Sequence, residues 1–242
     1  MRIPKRAVIL AGGKGSRLYP YTTVFPKPLM PLAEKPILEI VLNQLKEAGC
    51  EHVTLAVGHL AELIQAYFGQ GEKLGMTIDY SREEQPLGTA GPLKLIKNLE
   101  DDFLVMNGDV LCDLSYLDMY QFHRNHGGLA TVGTYNKKVF IDLGVLEVNE
   151  DNQIQDYIEK PTLNYQVSMG IYYFKPEVLS LIPEQTAFDL PDLMLKLIER
   201  KTPPYAYVFD GLWLDIGREK DYAEAQNLFY EKRNLFETPE KI

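Results

Sequence analysis

The sequence is poor in cysteine and in long apolar runs. It has two cysteines, Cys50 and Cys112, among 242 residues. Two cysteines so far apart exclude a disulfide scaffold and a zinc site with four thiolates, and they predict two reduced, buried thiols. No apolar run approaches the roughly 20 residues of a membrane helix, and the run Ala7–Ala11 stops at two glycines. These absences predict a cytoplasmic protein without a membrane span.

Basic residues are also in the minority. The chain has 25 Lys and Arg against 34 Asp and Glu, a formal net charge of −9, which disfavours general binding to nucleic acid. The balance is uneven, because residues 1–35 hold seven basic and one acidic residue, and the other 207 residues hold 18 and 33. We therefore expect a local cationic site near the N-terminus of an otherwise acidic chain.

Short apolar runs alternate with segments of helical periodicity through the first half of the chain. The predicted strands are Val8–Leu10, Val53–Val57, Met76–Tyr80 and Phe103–Met106, and the predicted helices are Leu38–Ala48, Leu60–Phe68 and Pro92–Leu99. This alternation predicts an α/β fold with a mostly parallel sheet and helices on both faces.

The second half has a more mixed pattern. Its predicted strands are Leu129–Thr134, Val145–Val148, Ile154–Ile158 and Val167–Phe174, and its predicted helices are Pro176–Leu181, Leu190–Arg200 and Glu219–Lys232. No Gly/Ser-rich linker or repeat separates the halves. The simplest expectation is one α/β domain over residues 1–242, with a mixed-sheet addition in its second half.

A glycine-rich segment follows the first strand directly. The glycines of Gly12–Ser16 allow positive φ and bring backbone N–H groups close to an anion. Arg17 can hold phosphate oxygens with its planar guanidinium, and Lys27, between two prolines, adds a second positive charge. A dinucleotide fingerprint is excluded because its third glycine would fall on Leu18, and the spacing of a P-loop is absent. The segment therefore predicts phosphate binding.

Six blocks in a fixed order resemble the sugar-1-phosphate nucleotidylyltransferases, also called NDP-sugar pyrophosphorylases. The blocks are Gly12–Pro36, Pro86–Gly91, Asn107–Asp109, Glu159–Pro161, Met169–Tyr172 and Trp213–Gly217. The resemblance covers almost the whole chain. It implies the Rossmann-like three-layer α/β/α nucleotidyltransferase fold. Many relatives add a C-terminal β-helix, which we do not expect here because only one more helix follows Asp215.

The implied reaction joins an NTP and a sugar 1-phosphate into an NDP-sugar and pyrophosphate. Because the attacking phosphate oxygen is already ionised, no Ser, Cys or His base is needed, and catalysis depends on positioning and charge neutralisation. The resemblance implies Arg17, Lys27, Asp109, Lys160 and Asp215 as catalytic residues. It also implies that Asp109 and Asp215 bind Mg²⁺, an ion that prefers carboxylate oxygens.

The same resemblance implies two binding sets. The NTP set is Leu10, Ala11, Gly12, Gly13, Gly15, Ser16, Arg17, Lys27, Gln85, Gly88, Thr89, Asn107 and Gly108, and the sugar-phosphate set is Gly144, Glu159, Lys160, Ser168 and Gly170. Two positions depart from many relatives. Leu143 replaces a tyrosine before Gly144, and Ser168 replaces an asparagine, so the sugar is the least defined part of the prediction.

Residues Pro86–Gly91 are most similar to the mannose-1-phosphate guanylyltransferase branch. They favour GTP with mannose 1-phosphate or a related hexose or heptose 1-phosphate. The alternatives are a uridylyl-, thymidylyl- or cytidylyltransferase for another sugar, or a regulatory relative that binds an NDP-sugar without turnover. A nicotinamide dehydrogenase is disfavoured by the missing third glycine. Whether the chain forms a homo-oligomer stays open.

Overall fold

The structure, a computed structural model, describes residues 2–236. Its strands are β1 (Arg6–Ala11), β2 (Pro31–Leu32), β3 (Lys35–Pro36), β4 (His52–Val57), β5 (Thr77–Arg82), β6 (Phe103–Asn107), β7 (Val110–Cys112), β8 (Ala130–Phe140), β9 (Val145–Val148), β10 (Ile154–Ile158), β11 (Thr162–Phe174), β12 (Tyr205–Phe209) and β13 (Trp213–Asp215). Its α-helices are α1 (Ile37–Ala48), α2 (Ala61–Phe68), α3 (Tyr116–His126), α4 (Leu190–Glu199), α5 (Glu219–Glu231) and α6 (Arg233–Phe236). Among these residues, no helix has both the length and the apolar character to span a membrane.

A seven-stranded sheet forms the centre of the molecule, in the order β12-β8-β11-β6-β1-β4-β5. Strands β6, β1, β4 and β5 run parallel, whereas β11 runs antiparallel to both β6 and β8. The carboxyl ends of the parallel strands therefore meet at one edge of the sheet, where open α/β sheets bind ligands. The predicted fold class, a mostly parallel sheet inside α/β/α layers, is confirmed.

Two hydrophobic clusters cover the two faces of this sheet. One contains Leu42 and Leu45 of α1, Ile64 of α2 and Met119 of α3. The other contains Leu193 and Leu197 of α4 against the opposite face. Both clusters consist of buried side chains. The strands whose carboxyl ends form the ligand-binding edge are therefore packed on both faces by a dense core.

Two predicted helices differ from the structure, and one helix was not predicted. Pro92–Leu99 contains only a 3₁₀ turn at Gly91–Leu95, because the chain reverses where Asn98 takes a φ of +61°. Pro176–Leu181 is also a 3₁₀ helix. The prediction missed α3, whose buried residues are mostly aromatic or histidine and blur the helical period. Its termini carry ordinary signals, since Ser115 Oγ accepts a hydrogen bond from Asp118 N and Gly127 follows at a φ of +69°.

Strands β8 and β11 extend beyond the rest of the sheet. We call their outer parts, residues 136–140 and Thr162–Ser168, the arm, and the two-stranded antiparallel sheet of β9 and β10 the ribbon. A bulge in β11 between Ser168 and Tyr172, with Gly170 at a φ of +74°, marks where the arm leaves the core. Almost every residue of the arm and the ribbon is exposed or partly exposed.

Candidate active site

A cleft of about 1,030 Å³ lies at the carboxyl ends of β1, β4 and β6. All thirteen residues of the NTP set line it, namely Leu10, Ala11, Gly12, Gly13, Gly15, Ser16, Arg17, Lys27, Gln85, Gly88, Thr89, Asn107 and Gly108. Asp109 lines it as well. The structure thus gathers four separate segments of the sequence, at residues 10–17, 27, 85–89 and 107–109, around one space.

The glycine loop after β1 packs closely against its neighbours. A Cβ on Gly12 would lie 2.7 Å from Glu83 Oε1 and 3.3 Å from the backbone N of Gly58. Gly15 has a φ of +62°, and a Cβ there would lie 2.9 Å from the Cγ2 of the buried Thr22. Gly13 has nothing within 4 Å of its Cβ position, so its backbone borders open space. Such a loop can present backbone N–H groups to an anion.

Two cations and two carboxylates meet at one side of this cleft. The Lys27 ammonium is paired with the Asp109 carboxylate, and both side chains are largely buried. Strand β13 pairs with β7 so that Asp215 lies opposite Val110, next to Asp109. The Arg17 guanidinium packs over Gly217, with Nη2 3.5 Å from the Cβ position. Residues far apart in sequence therefore form one charged group.

The pKa of Asp215 is raised, and the charges that shift it belong to this group of residues. Partial removal from water raises its pKa above the usual range, and the negative charge of Asp109 raises it further, whereas Lys27 and Arg17 act in the opposite direction. Two neighbouring carboxylates that disfavour each other's charge fit a divalent cation. Within residues 2–236 no group of three or more potential metal-binding His, Cys, Asp or Glu side chains occurs, and two carboxylates suit Mg²⁺, which keeps several waters.

Of the sugar-phosphate set, Gly170 lies directly against the cleft. A Cβ on Gly170 would lie 2.5 Å from Asn107 Nδ2, so the positive φ and the absence of a side chain both let Asn107 occupy this place. The Trp213 indole N–H donates to the carbonyl oxygen of Met169 at 3.1 Å. The bulge of β11 is thereby tied to the strand that carries Asp215.

None of the five sugar-phosphate residues is part of the cleft lining, and only Gly170 borders one of its residues, Asn107. Gly144 lies under the Tyr157 ring, and the Tyr157 hydroxyl donates to Glu159 Oε2 at 2.8 Å. Lys160 pairs with Asp142 at 2.7 Å, with both side chains mostly exposed. Ser168 bonds the Tyr172 hydroxyl at 2.9 Å. The structure therefore brings Arg17, Lys27, Asp109 and Asp215 together, although Asp215 lies behind Asp109 and is not itself part of the cleft lining. Lys160 is also outside the lining and is paired with Asp142.

The Thr89 hydroxyl is hydrogen-bonded to other residues of the protein. Asp189 Oδ1 accepts from the Thr89 N–H at 2.8 Å and from its hydroxyl at 3.0 Å, and the Thr89 oxygen accepts from Leu190 N–H at 2.8 Å. Gly88 lies at a φ of +77° with its Cβ position 2.8 Å from the same carboxylate. Asp189 also caps α4, so that helix fixes the loop of Gly88 and Thr89 at the cleft.

Glu83 and His59 also line the cleft, although neither was among the predicted site residues. Glu83 Oε2 accepts from Leu87 N–H at 2.7 Å while Oε1 faces Gly12. His59 N–H donates to the carbonyl oxygen of Gly12 at 3.2 Å. A signal for Glu83 was present, because two acidic residues directly precede Gln85 and Pro86 at the end of β5.

The family model described as "Nucleotidyl transferase" matches residues 6–232. UTP–glucose-1-phosphate uridylyltransferase from Synechocystis sp. is 37% identical over 240 residues, which cover 91% of this chain and 62% of the relative. Mannose-1-phosphate guanylyltransferase catalytic subunit beta from Drosophila pseudoobscura pseudoobscura is 37% identical over 241 residues, which cover 97% and 65%. The chain thus spans less than two thirds of the length of these curated relatives.

Solved structures of similar shape share the fold. A UDP-glucose pyrophosphorylase complexed with UDP-glucose matches with a TM-score of 0.73 at 23% identity, covering 96% of this chain and 100% of that chain. HddC from Yersinia pseudotuberculosis matches with a TM-score of 0.70 at 24% identity, covering 93% and 99%. With the strand order, the glycine loop and the family match over residues 6–232 all in agreement, the chain belongs to the nucleotidyl transferase family.

Proposed function

We propose that this chain transfers a nucleotidyl group from an NTP to a sugar 1-phosphate and releases pyrophosphate. The observation that carries the proposal is the charged group at the cleft, where Arg17 and Lys27 face Asp109 and Asp215 beside a glycine loop. Cations suit a triphosphate, and paired carboxylates suit the Mg²⁺ that accompanies it. The named activities of the relatives are of the same kind.

In this reaction an oxygen of the sugar phosphate attacks the α-phosphorus of the NTP. A new P–O bond forms, the bond between the α-phosphorus and the bridging oxygen breaks, and its electrons leave with pyrophosphate, so no proton has to be removed. Arg17 and Lys27 neutralise phosphate charge, while the glycine loop orients the triphosphate. Asp109 and Asp215 would hold Mg²⁺, which polarises phosphoryl oxygens when bound. Lys27 is paired with Asp109 here, so a bound phosphate competes for its ammonium.

Glu83 is the residue that best supports the choice of nucleobase in the proposed NTP. Relatives named for UTP and for GTP match at the same 37% identity, so identity does not separate them. A carboxylate only accepts hydrogen bonds, and it retains lone pairs beyond the one used by Leu87 N–H. Guanine offers an N1–H beside an exocyclic amino group, whereas the corresponding edge of uracil has one N–H between two carbonyls. The carboxylate in the cleft therefore favours GTP.

The proposed sugar is mannose 1-phosphate or a related hexose or heptose 1-phosphate. Leu143 is 73% exposed beside Gly144 and cannot hydrogen-bond a hydroxyl. Glu159 can accept hydrogen bonds from a pair of sugar hydroxyls, and Lys160 can bind the sugar phosphate. Both side chains now pair with neighbours in the protein, which a substrate would have to displace.

Pyrophosphate release from each of the four NTPs, with mannose, glucose and heptose 1-phosphates and Mg²⁺, tests the proposal. We expect GTP with mannose 1-phosphate to be fastest. If UTP is faster, the assignment of the base is wrong, and if no pair releases pyrophosphate, the activity is wrong. Calorimetry with NDP-sugars would then test binding without turnover.

Glu83→Gln tests the role of the carboxylate. An amide can donate to a uracil carbonyl, so we expect kcat/KM for GTP relative to UTP to fall by roughly tenfold or more. Glu84→Gln makes the same chemical change at the neighbouring position of the cleft and serves as the matched control. An unchanged ratio in Glu83→Gln would remove the basis for choosing GTP.

A further inference from the structure

In the described chain, the loop of residues 87–91 leaves one backbone N–H group without an acceptor. The other four N–H groups donate to protein oxygens at 2.7 to 2.9 Å, and these oxygens belong to Glu83, Asp189 and Phe188. The unpaired N–H is that of Gly88, a residue that lines the cleft. The direction of this amide therefore depends on the residues that hold its neighbours in place.

Asp189 holds the residue that follows Gly88 in the loop. Its Oδ1 accepts from the Thr89 N–H at 2.8 Å and from the Thr89 hydroxyl at 3.0 Å. The Thr89 oxygen accepts in turn from the Leu190 N–H at 2.8 Å, so the hydroxyl both donates and accepts within the protein. A carboxylate suits this place because it only accepts, whereas both Thr89 groups that face it donate.

The backbone of Gly88 lies directly against the same segment. Its φ is +77°, and a Cβ there would lie 2.8 Å from Asp189 Oδ1 and 2.8 Å from the carbonyl oxygen of Phe188. The Phe188 N–H donates to the carbonyl oxygen of Leu87 at 2.9 Å, so the two segments are joined before Gly88 as well as after it. Only a residue without a side chain fits this approach. A movement of Asp189 would therefore move the Gly88 peptide.

Helix α4 fixes the position of Asp189. The Asp189 N–H donates to Asp192 Oδ2 at 3.1 Å, which is part of a capping box at the start of the helix. Leu193 and Leu197 of the same helix are fully buried against the sheet. The Asp189 carboxylate thus connects the loop at the cleft to the packed core, although Asp189 itself is outside the cleft lining.

We propose that Asp189 is a positioning residue for nucleotide binding. It acts through Thr89, and its carboxylate sets the direction of the Gly88 peptide at the cleft without contacting the NTP. The Thr89 hydroxyl then serves to hold the loop rather than to bind the nucleotide, because its proton is donated to Asp189. This role rests on the proposed function, since the bound molecule is an NTP, but it concerns binding, which can be measured without turnover.

Calorimetric titration of the full chain with GTP or UTP and Mg²⁺, without a sugar 1-phosphate, tests this role. We expect Asp189→Ala to raise the Kd of the NTP roughly tenfold, because two Thr89 donors lose their acceptor, and Asp189→Asn, which keeps an acceptor oxygen, to raise it about threefold or less. Asp192→Ala is the matched control, because it removes a carboxylate from the same capping box without touching Thr89, and its Kd should equal that of the wild type. Circular dichroism shows whether the variants fold.

The outcomes separate this role from the proposed activity. In turnover, Asp189→Ala should raise KM for the NTP and leave KM for the sugar 1-phosphate unchanged. An unchanged Kd in Asp189→Ala, or an equal rise in Asp192→Ala, would overturn the role of Asp189. If the wild type binds an NTP but releases no pyrophosphate, the proposed activity fails and the Kd values still decide the role. If it binds no NTP, both are wrong.

Thr89→Val tests whether the hydroxyl acts through Asp189 or contacts the nucleotide. The substitution removes the hydroxyl and keeps a side chain of similar shape. We expect it to raise the Kd on its own and to add about twofold or less in the Asp189→Ala background, because both substitutions break the same contact. Fully additive effects in this double-mutant cycle would show that the hydroxyl binds the nucleotide directly, and the proposed role of Asp189 would be wrong.

Discussion

The nucleotide cleft and the arm with its ribbon differ in how they are supported. Every residue of the NTP set lines a cleft that is built on buried parallel strands, and tight contacts around Gly12 and Gly15 fix its loop. All five sugar-phosphate residues lie outside that lining, and four of them lie on or near segments that are mostly exposed. One half of the proposed site is held by the core, and the other half is held by a few surface hydrogen bonds.

This difference indicates which part of the proposed site can acquire substitutions that alter substrate specificity. A triphosphate presents the same charges whichever base it carries, so the rigid, charged part of the cleft suits any triphosphate and leaves the choice of base to Glu83. Residues on an exposed arm can be replaced without disturbing the packed core, since surface substitutions usually change stability little. Leu143 and Ser168, which depart from many relatives, lie in that exposed half. In the proposed reaction, the sugar is therefore the substrate whose recognition such a structure can change most freely.

The largest effect is expected at the carboxylates of the cleft. Asp109→Asn and Asp215→Asn should each lower kcat by roughly 1,000-fold, about 4 kcal/mol, because they remove a charge that would bind Mg²⁺. Asp109→Asn should also lower the melting temperature, because it leaves the largely buried Lys27 without its partner, so circular dichroism must show that the variants are folded. Asp101→Asn, the same substitution at an exposed position before β6, should keep full activity. Full pyrophosphate release by either cleft variant would refute its metal role.

A smaller and more selective effect is expected at Lys160, in the segment between the ribbon and the arm. Lys160→Met should raise KM for the sugar 1-phosphate by roughly 10- to 100-fold, the value of one charge-assisted hydrogen bond, and should leave KM for the NTP unchanged. Lys201→Met, at another exposed position, is the control. If both KM values rise together, the two halves of the site are not separate, and the comparison between them fails.

Much of the core could be predicted from the sequence because its signals are local. The run Val8–Leu10 lies within β1, and Gly49 at a φ of +101° ends the helix that the apolar spacing of residues 38–48 predicts. The glycine loop and Asp109 follow strands, so their meeting at one edge follows from parallel pairing. The positions of these residues could therefore be derived before any side-chain contact was known.

The remaining features depend on contacts between distant segments, which no local pattern records. Asp189 holds Thr89 across 100 residues, and the pairing of β13 with β7 places Asp215 beside Asp109. The extent of the arm was underestimated because β8 continues through polar residues to Phe140. The sequence resemblance places Lys160 in the site, whereas the geometry shows it paired with Asp142. The assignments of individual site residues and of a single domain stay predictions.

A stability measurement can test whether the cleft is preorganised. Gly12→Ala would place a Cβ 2.7 Å from Glu83 Oε1, so we expect the free energy of unfolding to fall by roughly 1–2 kcal/mol, as in an overpacked core. Gly13→Ala, the adjacent position with nothing within 4 Å, should leave it unchanged. Equal melting temperatures for the two variants would show that the loop adapts easily, and the contrast with the arm would weaken.

The smallest effect concerns the boundary between core and arm within β11. His123 of α3 is fully buried and stacks on Tyr173, in the part of β11 that lies in the core. Burial lowers the pKa of His123 to about 4, so its imidazole is neutral in the folded protein. The Nδ1 of that ring bonds the Thr131 hydroxyl at 2.8 Å. A proton on His123 would therefore weaken the inner part of β11 and not the exposed arm.

The sign of the pH dependence follows from proton binding. Below a pH of about 6.5 the unfolded chain binds a proton at His123 that the folded protein does not, so stability falls as the pH decreases towards 4. We expect a loss of about 1–2 kcal/mol at pH 5 relative to pH 7. His123→Phe removes this contribution, so its urea unfolding curves should lose less stability over that range. Hydrogen exchange should locate the acid-sensitive amides in residues 169–174. If the wild-type protein and His123→Phe lose stability in parallel as the pH falls, His123 is not the source of the acid sensitivity.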